Sequence, residues 1–137
     1  MNRYFNALFV LATGAVLAVA AVLTPSEMGH STHMQMGLDG CTLLSWTGIP
    51  CPMCGMTTSY ALLADFRFLD AFVNQPFSVV LFGATVFTFC VSGLDLVRPD
   101  DRWGRFGAWI SRYQVRLAVV CLIWFSTAWA YKVWLLW

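Results

Sequence analysis

Three stretches of the chain are apolar over about 20 residues, the length that a helix needs to cross the hydrocarbon core of a bilayer. They cover residues 4–23, 77–97 and 117–137, and the charges inside them, Asp95 and Lys132, lie near one end of a stretch. The pattern predicts three transmembrane helices. We expect the Lys132 side chain to extend along its helix, so that the ammonium reaches the lipid headgroups.

The apolar stretch at residues 55–73 differs from these three because charges interrupt it. Asp65, Arg67 and Asp70 lie in its middle, and each charge at the bilayer centre would cost roughly 2.5–3.5 kcal/mol. Two short amphipathic helices at the membrane interface fit this stretch better. Aromatic residues at 103–113 also recur at helical spacing with arginines between them, which indicates another interfacial helix. The predicted fold class is an all-α integral membrane protein.

The distribution of arginines orients the predicted helices. The loop 98–116 carries five arginines, whereas Arg67 is the one basic residue, histidines aside, of the loop 24–76. By the positive-inside rule, the N-terminus and the loop 98–116 face the cytoplasm, and the loop 24–76 and the C-terminus face the periplasm or the exterior. Ala18-Val19-Ala20 resembles a signal-peptide cleavage site, but the apolar run continues to Leu23, so we expect a retained anchor.

Composition agrees with a single membrane domain. The chain has 137 residues, of which 59% are hydrophobic and 11% charged, and its net charge is +1. Soluble domains carry about 25% charged residues, so the chain is predicted to contact the lipid bilayer. An aromatic content of 16% excludes disorder. The balance of 8 basic and 7 acidic residues excludes nucleic acid as a partner, because phosphate binding needs a basic excess.

Side chains with soft or borderline metal-binding atoms concentrate in the loop 24–76. Thioethers suit copper(I), and imidazole suits copper in either oxidation state. Zinc is a weaker candidate because thioether is not among its usual ligands. The alternative interpretation is a mobile loop whose methionines contact the bilayer or a partner. The candidate capture residues are Met28, His30, His33, Met34 and Met36.

Cys51 and Cys54 form a C-x-x-C pair in the same loop. A helix is predicted to begin after Gly55, and a helix N-terminus stabilises thiolate. Three interpretations stay open: a structural disulfide, either between the two or from one of them to Cys41; a redox-active pair; and a soft-metal site shared with the methionines and histidines. Cys90 and Cys121 lie within predicted spans, and they are expected to have no chemical role.

Residues 51–58 read Cys-Pro-Met-Cys-Gly-Met-Thr-Thr, and Asp65 and an Asn-Gln-Pro step at 74–76 follow. This pattern resembles a bacterial membrane-protein family, the domain of unknown function 2752, whose signature is Cys-Pro-x-Cys-Gly-x-Thr-Arg. Thr58 stands where that family often has arginine. The resemblance implies a multi-span protein of the bacterial inner membrane with a paired-cysteine site, and it implies no activity.

Together these observations predict a small membrane accessory protein that holds or relays a soft metal, most simply copper(I), on its outer face. Cys51 and Cys54 would bind the ion, and another membrane protein or complex would be the partner. No arrangement of Ser, His and Asp and no phosphate loop indicates an enzyme. The alternatives are a quinone-linked thiol–disulfide oxidoreductase and a structural subunit of a membrane complex with a disulfide-stapled loop.

Overall fold

A computed structural model of the chain describes residues 3–98, 100 and 102–136. The regular elements of this part are all helices, and three of them are long and apolar enough to cross a membrane. The predicted all-α fold is thereby confirmed; Trp137, the predicted end of the third span, lies outside the described residues. In chain order the helices are α1 (Arg3–Val22), a 3₁₀ helix (Thr32–Met36), α2 (Thr42–Thr47), α3 (Met56–Ala64), α4 (Phe68–Asn74), α5 (Pro76–Val97) and α6 (Arg102–Leu136).

The long helices α1 and α5 pack closely along their length. Gly14 of α1 makes this approach close, because a β-carbon at this position would lie 3.1 Å from the ring of Phe89. Where α5 ends and α6 begins, Asp95 forms an ion pair with Arg102, and the indole of Trp103 donates a hydrogen bond to Ser92 over 3.2 Å. These contacts fasten the beginning of α6 to the end of α5.

Helix α6 is longer than the sequence pattern suggests. The residues 102–116, expected in a loop with a separate interfacial helix, continue without a break into the third span, so that α6 has 35 residues and a length of about 52 Å. The sequence has no proline after Pro99, and proline is the residue that most strongly ends a helix. The amphipathic and apolar parts therefore form one rod.

The segment between α1 and α5, residues 24–75, forms a unit that we call the cap. The apolar stretch at 55–73, which charges interrupt, forms the two short helices α3 and α4, as predicted. They turn on Phe66, whose φ is +60°, and they bury Leu62, Leu63 and Ala71 against Val79 and Phe82 of α5. The cap is thus anchored by its own apolar core at one end of the long helices, and the Asp95–Arg102 pair lies at the other end.

Candidate metal centre

Three thiols converge inside the cap. The sulfur atoms of Cys41, Cys51 and Cys54 all lie within 4.8 Å of one another, and all three are free thiols. Cys54 is buried with 6% of its surface exposed, whereas the other two are half-buried. The structure therefore joins the C-x-x-C pair to a third cysteine, which the sequence indicated only as a candidate disulfide partner.

Local backbone geometry brings these cysteines together. Cys41 is the N-cap of α2, and its sulfur accepts a hydrogen bond from the Leu44 amide over 3.5 Å. The pair Cys51 and Cys54 closes a tight turn, in which the Cys54 amide donates to the Cys51 carbonyl over 2.9 Å. Gly55 then takes a φ of +86°, and α3 begins at the next residue, as the sequence predicts. A positive φ of this kind is favourable for glycine and strained for other residues.

The protein environment gives the three thiols different pKa values. Burial, followed by the neighbouring Cys41 and Cys51, raises the pKa of Cys54 to about 12, although the Lys132 ammonium acts in the opposite direction. Burial and the Cys41 thiol also raise the pKa of Cys51. Burial acts in the same direction on Cys41, but hydrogen bonds from the amides of Leu44 and Cys51 outweigh it and leave the pKa of Cys41 lowered. Without a metal, Cys54, which lies just before α3, therefore stays a protonated thiol at neutral pH.

The order of acidity predicts an order of alkylation. At about pH 8, we expect iodoacetamide to modify Cys41 first and Cys54 last, because the thiolate is the nucleophile. Peptide mass spectrometry at successive times measures the order. The control is protein unfolded in urea, in which the three rates should converge. Equal rates for Cys41 and Cys54 in the folded protein would contradict the expectation.

The structure brings part of the methionine and histidine run to the thiols. His33 and Met36 lie on the 3₁₀ helix and line the same cavity as the three cysteines. Met28 and Met34 are 67% and 52% exposed on the surface of the cap. The ring of His30 instead hydrogen-bonds the neighbouring Ser31 hydroxyl over 3.0 Å.

A buried hydrogen bond helps to hold the 3₁₀ helix in this place. The hydroxyls of Thr32 and Thr58 hydrogen-bond over 2.7 Å, and both residues are 1% exposed. Thr58 is the position at which the resembled family often has arginine. In this chain the hydroxyl at position 58 therefore ties the histidine-bearing helix to α3.

The cavity beside the thiols is large and mostly apolar. It measures about 780 Å³, and α1 lines one side of it with Val16, Val19 and Leu23. Met53 and Met56, which were not among the predicted metal ligands, line it near the cysteines. The thiols thus lie where the cap meets the membrane-spanning helix α1.

Lys132 and Asn74 form a hydrogen-bonded pair beside the site, which the sequence did not predict. Lys132, the only lysine of the chain, is 1% exposed, so the expectation that it extends to the headgroups is wrong. Its ammonium donates to the Asn74 side-chain oxygen over 2.7 Å. The Asn74 amide in turn donates to the Gly55 carbonyl over 3.0 Å and to the Ser59 hydroxyl over 2.8 Å. The Asn-Gln-Pro step was the one signal that pointed to Asn74.

Two neighbours of Lys132 also connect α6 to the cap. The indole of Trp129 donates to the Pro50 carbonyl over 2.9 Å, next to Cys51. The Tyr131 hydroxyl donates to the Val73 carbonyl over 2.8 Å. One turn of α6 thereby holds both the loop before the C-x-x-C pair and the end of α4.

Comparison with known protein families gives a match to part of the chain. Residues 41–89 match the family described as protein of unknown function (DUF2752), as the resemblance predicted. This range contains the three cysteines, Gly55 and Asn74, whereas the methionine and histidine run and Lys132 lie outside it. No curated protein and no solved structure matches the chain.

Proposed function

We propose that the protein holds copper(I) at Cys41, Cys51 and Cys54 and passes it to or receives it from a membrane partner. The observation that carries this proposal is the convergence of three sulfur atoms within 4.8 Å of one another. Thiolate is a soft ligand, and soft ligands suit copper(I) as well as zinc and iron–sulfur clusters.

The spacing of the sulfurs suits a three-coordinate ion. A metal with bonds of about 2.3 Å to three thiolates holds the sulfurs about 4 Å apart in a planar triangle. The present separations, at most 4.8 Å, are close to that spacing. Structural zinc sites are almost always four-coordinate, and among the described residues no histidine nitrogen or carboxylate joins the cluster. The donor set therefore favours copper(I) over zinc.

The methionines and histidines supply a route for the ion. Met28 and Met34 are exposed at the surface, while His33 and Met36 line the cavity that also contains the thiols. Thioethers bind copper(I) without losing a proton, so they can take up and release the ion readily. The proposed sequence is capture at the surface, passage by Met36 and His33, and retention by the thiols.

Titration of the reduced protein in detergent tests this proposal. We expect one copper(I) per chain in competition with a chromophoric copper(I) chelator, and X-ray absorption should show sulfur as the dominant ligand. Protein alkylated on its cysteines is the matched control and should lose this binding. Equal copper(I) binding by alkylated and unmodified protein would exclude the thiol site. The affinity for each metal is also compared with that of free thiols, and a larger gain for zinc than for copper(I) would exclude the metal assignment.

The large apolar cavity supports a second candidate function, quinone-linked thiol oxidation. Cavities of roughly 300–1,000 Å³ with mostly apolar walls bind small molecules, and this one, at about 780 Å³, reaches both α1 and the thiols. Two thiols would give two electrons and two protons to a quinone, forming a disulfide and a quinol. A soluble quinone analogue added to the reduced protein without oxygen distinguishes the candidates: stoichiometric disulfide and quinol support oxidation, and unchanged thiols support the metal site.

We place this site on the outer face of a bacterial inner membrane. The support is the arginine distribution, since the five arginines at 98–116 lie toward the end of the long helices that is opposite the cap. Repeating the alkylation in intact cells with a membrane-impermeant reagent tests the orientation. Labelling of Cys41 is expected, and protection of Cys41 in cells but not in lysate would reverse the topology.

A further inference from the structure

The ammonium of Lys132 is enclosed by the cap. It donates to the Gly29 carbonyl and the Asn74 carbonyl over 3.2 Å each and to the Asn74 side-chain oxygen over 2.7 Å. These three acceptors satisfy the three hydrogens of the ammonium, and the residue is 1% exposed. The contacts orient the charge without neutralising it, because all three acceptors are uncharged.

No carboxylate balances this charge in the part of the chain that the structure describes. The ion pairs there are formed by Arg67, Arg102 and Arg105. A charge buried without a partner is strongly unfavourable, and proteins normally place an opposite charge or a metal-bound group beside it. The position of Lys132 therefore calls for an anionic group inside the cap.

Among the described residues, the Cys54 thiol lies beside Lys132 and is able to become anionic. A β-carbon built on Gly55 would lie 3.0 Å from the Lys132 nitrogen, so the ammonium lies against the residue that follows Cys54. The two are close enough for the ammonium to act electrostatically on the Cys54 thiol. A copper(I) ion bound by two or three thiolates leaves a net charge of −1 or −2 at this place.

We infer that Lys132 is the counter-ion of the thiolate–copper(I) complex, a positioning residue that offsets one negative charge of the occupied site. This inference rests on the proposed function. It also explains the surroundings of Lys132. Asn74 and the Gly29 carbonyl hold the ammonium in place, and the thiolates balance its positive charge when the metal binds. A merely structural lysine would instead serve to attach α6 to the cap.

Substitution of Lys132 separates the two roles. Lys132→Gln keeps a hydrogen-bond donor and removes the charge, and Tyr131→Phe removes a hydrogen bond between α6 and the cap without changing any charge. We expect Lys132→Gln to weaken copper(I) binding about tenfold or more, since one neighbouring opposite charge shifts the protonation of an acid by about one unit or more. The melting temperature of the metal-free protein should stay equal or rise, because the variant no longer buries an unbalanced charge. Tyr131→Phe should leave copper(I) affinity unchanged, because it changes no charge beside the thiols.

Lys132→Met gives a second measurement, because it removes both the charge and the hydrogen bonds. It should weaken copper(I) binding as much as Lys132→Gln does, whatever its effect on the melting temperature. Unchanged copper(I) affinity in Lys132→Gln, or losses of affinity that follow losses of metal-free stability across the three variants, would overturn the counter-ion role and leave the thiol site standing. Absence of thiol-dependent copper(I) binding in the parent protein would overturn the proposed function and this inference together.

Discussion

Gly55→Ala is expected to destabilise the folded protein by about 2–5 kcal/mol. A φ of +86° in a residue with a β-carbon costs roughly 1–2 kcal/mol. The added carbon would also lie 2.6 Å from the Gly29 carbonyl oxygen and 3.0 Å from the Lys132 nitrogen, and overpacking of this kind costs typically about 1–3 kcal/mol. Thermal unfolding in detergent, followed by circular dichroism, should show a large fall in the melting temperature.

Gly83→Ala is the matched control for this substitution. Gly83 lies inside α5 with nothing within 4 Å of the position of a β-carbon. Alanine is favoured over glycine in a helix by about 1 kcal/mol, so this variant should melt at the same temperature or higher. Similar melting temperatures for the two variants would mean that the contact between the cap turn, Gly29 and Lys132 is looser than the structure has it.

Cys54→Ser is expected to weaken copper(I) binding by more than about 100-fold. Residues that only support a metal ligand already change affinity by about 10–100-fold, and Cys54 supplies one of the three sulfurs itself. Serine replaces that soft donor by a hard hydroxyl at a position with 6% exposure. Competition with a chromophoric chelator measures the loss, and Cys54→Ala should show the same loss without introducing a buried hydroxyl.

Cys121→Ser is the control for the removal of a thiol. Cys121 is an exposed free cysteine on α6, outside the cluster. It should bind copper(I) as the parent does, and it corrects for adventitious binding by accessible thiols. If Cys54→Ser and Cys121→Ser changed the affinity equally, copper(I) would be binding to scattered thiols and the cap would hold no dedicated site.

The long helices could be predicted from the sequence because the bilayer imposes a simple rule on them. A helix must be apolar for about 20 residues to cross it, and α1 and α5 follow that rule over almost their whole length. The start of α3 was also predictable, since Gly55 supplies the backbone conformation that precedes the helix. Local chemistry was sufficient in both cases.

The completed site depends on contacts that a local pattern does not contain. Cys41 joins Cys51 and Cys54 only because α2 turns its N-cap toward them. Lys132 was expected at the headgroups because long side chains near a span end usually reach them. Its burial depends on Asn74, far away in sequence, which offers two oxygens to the ammonium. Contacts between residues that are far apart in sequence therefore produce both the cluster of three cysteines and the burial of Lys132.

The length of α6 was not predicted for a different reason. Its first half is rich in arginine and its second half is apolar, and the change in composition suggested two elements separated by a break. Helical hydrogen bonding depends on the backbone, however, and neither Gly104 nor Gly107 interrupts it. Composition located the span, whereas backbone continuity fixed the length of the helix.

The hydrogen bonds from α6 to the cap give the site an order of assembly. A ribosome makes Cys41, Cys51 and Cys54 well before it makes Trp129 and Lys132. During synthesis the thiols are therefore present in a chain whose cap still lacks the support at Pro50 and the ammonium beside Gly55. Under the proposed function, full copper(I) affinity is therefore expected only after the third span has been inserted.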